Sequence, residues 1–163
     1  MKTKMTERGN NVCVILHNIR SVHNVGSIFR TADAAGVSKI YTTGYTPGPR
    51  DRFGRARRDF AKVALGAEAT VSHEHCEDIF QALQKLRADG VQIISIEQHK
   101  NALSYKKVGI QTSHAFIFGN EVEGIGEDIL RASDTILEIP MHGNKESLNV
   151  SVAVGVILFH FVM

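Results

Sequence analysis

Residues 12–45 narrow the possible folds more than any other part of the chain. V12-C-V-I-L-H-N18 is a short, unbroken apolar run, the signature of a strand buried on both faces. N24-V-G-S-I-F-R-T-A-D-A-A-G36 then changes period: Val25, Ile28, Phe29 and Ala32 recur at i, i+3, i+4 and i+7, and Gly36 is a good helix terminator. K39-I-Y-T-T-G-Y45 returns to strand character and runs into the turn-rich T46-P-G-P49. Strand, helix and strand in about thirty residues make a βαβ unit, parallel and right-handed.

The rest of the chain repeats that alternation. Glu77 to Ala88 has a helical pattern with Ile79, Phe80, Leu83 and Leu86 on its apolar face and Gly90 behind it. V91-Q-I-I-S-I96, H114-A-F-I-F118 and T135-I-L-E-I139 read as strands, the second stopped by Gly119 and the third by Pro140. Ile125 to Ala132 reads as a short helix, and Asn149 to Val162 as a strongly apolar final one. The expected fold is α/β: a single-domain, Rossmann-like parallel sheet of five or six strands with helices on both faces. No internal repeat or low-complexity linker divides the chain, and 163 residues suffice for one sizeable core.

Several function classes are disfavoured. The opening MKTKMTERG lacks the apolar core of a signal peptide, and Val150 to Met163 is short for a membrane span and contains His160. Cys13 and Cys76 lie far apart, with neither metal spacing nor a disulfide framework, which suits a reducing compartment. A cytoplasmic protein with no membrane partner and no metal is expected. The net charge of +2 does not by itself suggest a nucleic-acid partner. Its distribution says more. Arg50, Arg52, Arg55, Arg57, Arg58 and Lys62 are opposed only by Asp51 and Asp59, whereas residues 121–140 carry six acids against Arg131. Arginine forks suit phosphate oxygens, so the six cations are candidate nucleic-acid contacts; a solvated surface with scattered ion pairs is the plainer alternative. Phe53 and Phe60 are the segment's only aromatics, which favours shape or backbone contacts over a stacking platform.

Three glycine- and asparagine-rich stretches each follow a strand: S21-V-H-N-V-G-S-I-F-R30, F118-G-N-E-V-E-G124 and I139-P-M-H-G-N-K-E-S-L-N-V-S151. In an α/β sheet they fall at carboxyl strand ends, where ligands bind. None matches the GxGxxG dinucleotide fingerprint or the GxxxxGK[ST] phosphate loop.

Taken in order, these stretches resemble the three signature motifs of the SpoU/TrmH family of RNA 2′-O-ribose methyltransferases, within the trefoil-knotted superfamily. The resemblance runs from about Asn11 to the C-terminus. It implies a short N-terminal extension over residues 1–10 and a knotted methyltransferase domain over 11–163, with a deep C-terminal trefoil knot forming the S-adenosyl-L-methionine pocket. The implied cofactor walls are Phe118-Gly119-Asn120, Ile139-Pro140-Met141 and Ser147-Leu148. The implied catalytic set is Arg30, Asn24, Glu121, Asn149 and Ser147. The implied reaction transfers a methyl group to a ribose 2′-hydroxyl in tRNA or rRNA. A homodimer is expected, and no DNA partner. Many relatives carry an added RNA-binding domain; with about ten residues ahead of the first strand, recognition is expected to fall on the dimer, residues 50–62 and the knot's rim, or to come from an accessory protein.

Arginine is a poor free base at neutral pH, so Arg30 is read as holding an RNA phosphate and polarising the hydroxyl while phosphate or solvent accepts the proton. An ion pair with Asp33 at i+3 is its purely structural alternative. Asn24 either caps its helix or places Arg30 or the ribose. Glu121 is read as orienting Asn149, and Ser147 as capping the last helix with Asn149 in its first turn. His23 and His142 adjoin the motifs but are not read as required bases, and His17 and His160 are read as structural. Two alternatives remain: an RNA-binding or assembly factor of the same fold with little catalysis, and a small-molecule methyltransferase.

Overall fold

The computed structural model describes residues 11–110 and 113–162. The extension expected over residues 1–10 lies outside the described residues. In chain order the elements are β1 (Val12–His17), α1 (Val22–Ala35), β2 (Lys39–Thr43), α2 (Arg58–Ala64), α3 (Ala67–Thr70), β3 (His73–Cys76), α4 (Ile79–Ala88), β4 (Gln92–Ile96), β5 (Leu103–Ser104), β6 (His114–Phe118), α5 (Glu127–Ala132), β7 (Thr135–Glu138) and α6 (Val150–Phe161), with a 3-10 turn at Tyr105–Lys107 after β5.

The strands form one seven-stranded sheet in the order β3-β2-β1-β6-β4-β7-β5, and every pairing is parallel. Two strands were not expected. β3 reads His-Glu-His-Cys and β5 is two residues long, so neither carries a usable hydrophobic period. Both lie at sheet edges, where one neighbour supplies the hydrogen bonds and polar side chains meet water. β2 ends at Thr43, short of the expected Tyr45, because Gly44 turns the chain at φ 62°.

Strand alternation divides the core into two layers. Val12, Val14 and Leu16 of β1 face the cluster formed with Phe29 of α1, Phe60 of α2 and Val154, Ile157 and Leu158 of α6. Cys13 and Ile15 face the opposite cluster, formed with Ile79, Leu83 and Leu86 of α4 and Ile129 and Leu130 of α5. Burial of each large aliphatic side chain here stabilises the fold by ~1.5–3 kcal/mol relative to exposure. Phe29 and Phe60 meet edge to face with centroids 5.0 Å apart, which ties α2 to α1.

The helices follow their sequence pattern with three corrections. Phe80 was placed on the apolar face of α4 but is 41% exposed; Ala82 takes the buried position. The cap of α1 is Ser21, whose hydroxyl accepts from Asn24 N, so Asn24 is not the cap. The cap of α6 is Asn149, whose Oδ1 accepts from Ser151 N, so Ser147 lies outside the helix and Asn149 is not in its first turn. α6 is apolar almost all round, a pattern that suits burial in a core or against a partner chain. It buries Val154, Ile157 and Leu158 but leaves Val152 and Phe159 about half exposed. Among the described residues no helix is long and apolar enough to cross a membrane.

Candidate active site

The carboxyl ends of β4, β6 and β7 and the start of α6 enclose a cavity of about 410 Å³, within the usual range for small-molecule sites. Phe118, Gly119 and Asn120 enter it from β6, Ile139 and Met141 from beyond β7, and Ser147 and Leu148 from the approach to α6. Pro140 alone of the expected cofactor residues is not in its lining. Sequence reasoning missed Ile96, Glu97 and Gln98, which line the cavity from the end of β4. Their only available signal was position, because they follow a strand without any glycine-rich turn.

The turn after β6 is built for close approach. A Cβ on Gly119 would lie 2.6 Å from both Gly124 O and Ile125 Cγ1, so only glycine fits without a shift. Asn120 is buried and fully engaged: its amide donates to Asn18 O and the Tyr45 hydroxyl, each at 2.9 Å, and its Oδ1 accepts from Val122 N and Glu123 N. It therefore shapes the wall through backbone geometry and has no amide proton to spare. Glu97 Oε2 accepts from Ile125 N at 2.9 Å and pins the far end of the same turn.

Beside the cavity, one polar residue from each glycine-rich stretch joins a single network. Asn149 Nδ2 donates to Asn24 Oδ1 at 3.3 Å, and Asn24 Nδ2 donates to Glu121 Oε1 at 3.4 Å. Glu121 also accepts from Arg20 N at 3.1 Å and Ser21 N at 3.3 Å, at the positive end of α1. Partial burial alone would raise the Glu121 pKa, but the N–H groups of Arg20, Ser21 and Glu121 itself, with the Asn24 amide, outweigh it and lower the pKa. Glu121 is thus held as a carboxylate. Its link to Asn149 runs through Asn24, which stands between them.

The other expected residues are less engaged. Arg30 is exposed on α1 and, among the described residues, forms no ion pair with Asp33, which instead accepts from Thr70 Oγ1 at 2.8 Å. Arg30 and Ser147 are not part of the Asn24–Glu121–Asn149 network. Arg50, Arg52, Arg55, Arg58 and Lys62 are exposed, and Arg57 is half-buried. His17 contacts Thr43 Oγ1 at 2.9 Å, and burial lowers its pKa. His160 packs edge to face against Tyr105.

The SpoU rRNA Methylase family model matches residues 11–159. The chain belongs to that family. A tRNA (guanosine(18)-2′-O)-methyltransferase of Aquifex aeolicus is 28% identical over 98% of this chain and 72% of its own length. Its Escherichia coli K12 counterpart is 31% identical over 95% of this chain and 64% of its own. A Ralstonia nicotianae 23S rRNA (guanosine-2′-O-)-methyltransferase, RlmB, is 34% identical over 91% and 57%. This SpoU chain therefore spans between about half and three quarters of these relatives. Among solved structures, an AdoMet-bound rRNA methyltransferase from Sinorhizobium meliloti matches with a TM-score of 0.82 and 27% identity, over 91% of this chain and 54% of that one.

The cavity suits the AdoMet that this neighbour binds. Ile96, Ile139 and Leu148 offer apolar surface for an adenine ring, and glycine at 119 lets the turn to Gly124 close tightly behind the wall. Glu97, Glu121 and Glu146 line the same cavity and favour a cationic ligand such as a sulfonium.

Proposed function

We propose that this SpoU chain is an S-adenosyl-L-methionine-dependent RNA 2′-O-methyltransferase acting on a ribose in tRNA or rRNA. The observation that carries the reading is the Asn149–Asn24–Glu121 network at the rim of the cavity, which joins one residue from each of the three family motifs. Curated relatives from three genera bear the same activity in their names, which supports the reaction class. The cofactor would supply an electrophilic methyl group. Everything else falls to the protein.

Phe118, Gly119, Asn120, Ile139, Met141, Ser147 and Leu148 are assigned to cofactor binding, with Pro140 shaping the strand exit between two of them. Glu121 and Asn149 fix the Asn24 carboxamide, and Asn24 in turn sets the ribose or Arg30. Arg30 binds an RNA phosphate and polarises the 2′-hydroxyl; it remains protonated throughout, so phosphate or solvent takes the proton. Ser147, outside α6, is assigned to the mouth of the cofactor site. In-line placement of oxygen and methyl is the main contribution required of these groups. The exposed cations from Arg50 to Lys62 are assigned to RNA phosphates.

The same reading includes a C-terminal trefoil knot, a homodimer and a cytoplasmic setting. The knot is supported by the sheet order, in which β7 lies between β4 and β5 while α6 returns to α1. The homodimer is supported by the half-exposed Leu148, Val152 and Phe159 on and beside α6. The reducing setting is supported by Cys13 and Cys76, both free and buried.

The test is transfer of radiolabelled methyl to a cellular RNA pool, with mass spectrometry of the resulting nucleosides. A 2′-O-methylated nucleoside is expected. Normal cofactor binding with no transfer to any RNA would refute the proposal. Arg30→Ala should abolish transfer and spare cofactor binding; equal loss of both would remove Arg30 from its assigned role.

A further inference from the structure

The loop between β2 and α2 holds an exposed aromatic ring inside a cationic frame. Phe53 is 67% exposed, one of the most exposed large apolar side chains among the described residues. The guanidinium of Arg52 lies 4.8 Å from its ring centroid and that of Arg55 lies 5.0 Å away. Phe60, the other aromatic of this segment, is fully buried against Phe29. The two phenylalanines therefore do different things, and only one packs a core.

Phe53 is held out by a hydrogen-bonded loop. Asp51 Oδ1 accepts from Phe53 N at 2.9 Å and Arg55 N at 3.0 Å, and Asp51 Oδ2 accepts from Arg55 Nε at 2.9 Å. Arg50 Nη1 donates to Gly54 O at 2.8 Å, and Arg50 pairs with Ala56 in an antiparallel bridge. These bonds satisfy the anion inside the loop and leave Arg52 without a carboxylate partner among the described residues. Both roots of the loop are tied to the site. Tyr45 accepts from Asn120 of the cavity wall, and α2 comes so near α1 that a Cβ on Gly26 would stand 3.0 Å from Phe60 O. The loop is thus anchored at both ends to the elements that carry Asn24, Arg30 and the cavity wall.

An exposed ring costs solvation unless something covers it, and the net positive charge of the loop disfavours a basic partner. A nucleotide meets both requirements: its base has a flat π-face, and its flanking phosphates are anionic. We propose that the loop at residues 50–57 is a clamp for one unpaired base of the RNA: the base takes the place of Arg52 against the Phe53 ring, Arg52 moves to a flanking phosphate, and Arg55, held by Asp51, stays against the ring. The proposal rests on the RNA reading above and adds to it that the substrate presents an unstacked nucleotide away from the reacting ribose. The sequence favoured backbone contacts for this segment because it does not reveal which phenylalanine is exposed.

The test is fluorescence-anisotropy binding of the whole chain to two labelled probes: a single-stranded 12-nucleotide RNA and a blunt 12-base-pair RNA duplex. Phe53→Ala should weaken single-strand binding about 5- to 150-fold, the usual range for one base–aromatic stack, and leave duplex binding and the salt slope of both unchanged. Phe53→Trp should restore single-strand affinity. Arg52→Ala should lower the salt slope for both probes by about one phosphate contact. Unchanged single-strand affinity in Phe53→Ala, or equal losses on both probes, would overturn the clamp while leaving the RNA reading intact. If the unmodified protein binds neither probe at low salt, the RNA reading fails and the clamp with it.

Discussion

Asn24→Asp tests the polar network with almost no change of shape. In the protein as it stands, Asn24 Nδ2 donates to Glu121 Oε1 at 3.4 Å. The substitution replaces that donor with a carboxylate oxygen facing another carboxylate. Two unit charges 3.4 Å apart repel by ~5 kcal/mol at an effective dielectric of ~20 and ~1.2 kcal/mol in bulk water. Asn24 is only partly buried, so the lower part of that range applies, ~1–2.5 kcal/mol after solvent screening. Like-charge repulsion then raises one carboxyl of the pair above its ordinary value in the folded state. The sign follows from proton linkage. A group whose folded pKa is raised costs nothing below its unfolded pKa, and stability is lost as pH rises through the folded value. Urea unfolding should therefore show Asn24→Asp matching the parent at pH 4, falling behind between about pH 4 and 6, and lying ~1–2.5 kcal/mol lower at pH 7. Asn24→Ala should lose less at pH 7 and show no such pH step. A pH-independent difference, or an alanine variant as unstable as the aspartate one with the same profile, would refute the view that Asn24 and Glu121 are coupled.

The remaining predictions concern the cavity wall, the edge strand and the core. Gly119→Ala forces a Cβ to 2.6 Å from Gly124 O; it should cost ~1–3 kcal/mol in chemical unfolding and weaken cofactor binding in calorimetry, and an unchanged protein would contradict the close packing. Glu74 is held at a pKa of about 2 by hydrogen bonds from Lys39 and Lys85. Its contribution is present above the ordinary value near 4.5 and is lost as pH falls through about 2. Because the side chain is about one third exposed, Glu74→Gln should destabilise by no more than ~1 kcal/mol at pH 7 and by nothing near pH 2, measured by pH-dependent unfolding. Phe60→Ala removes a fully buried ring against Phe29 and should lower stability by ~3–5 kcal/mol in urea.

Most of the sheet was legible because its central strands are apolar on both faces and its helices keep one clear period. β1, β6 and β4 read as strands in the sequence for the same reason that they sit in the middle: each meets a helix layer above and below. The edges were not legible. β3 alternates histidine, glutamate and cysteine, and its pairing with β2 is a tertiary fact with no local signal. The same limit explains the exchanged caps. Ser21 and Asn24 are both good capping residues three positions apart, as are Ser147 and Asn149 two positions apart, and local preference does not choose between them.

By itself, the sequence determined the alternation of parallel strands and helices, the positions of three loops at carboxyl strand ends, and the family to which those loops belong. Each of these is local, written in unbroken apolar runs, in a period of 3.6 and in glycines that permit close turns. Only the tertiary structure decided what the loops do to one another. Glu121 reaches back 101 residues to Arg20, and Asn149 reaches 125 residues to Asn24. Such contacts depend on how the sheet is ordered and where α6 lands on α1, and no window of the chain contains both partners. Burial decides the rest: it separates Phe53 from Phe60, two phenylalanines seven residues apart in one basic segment, sending one to water and the other to the core.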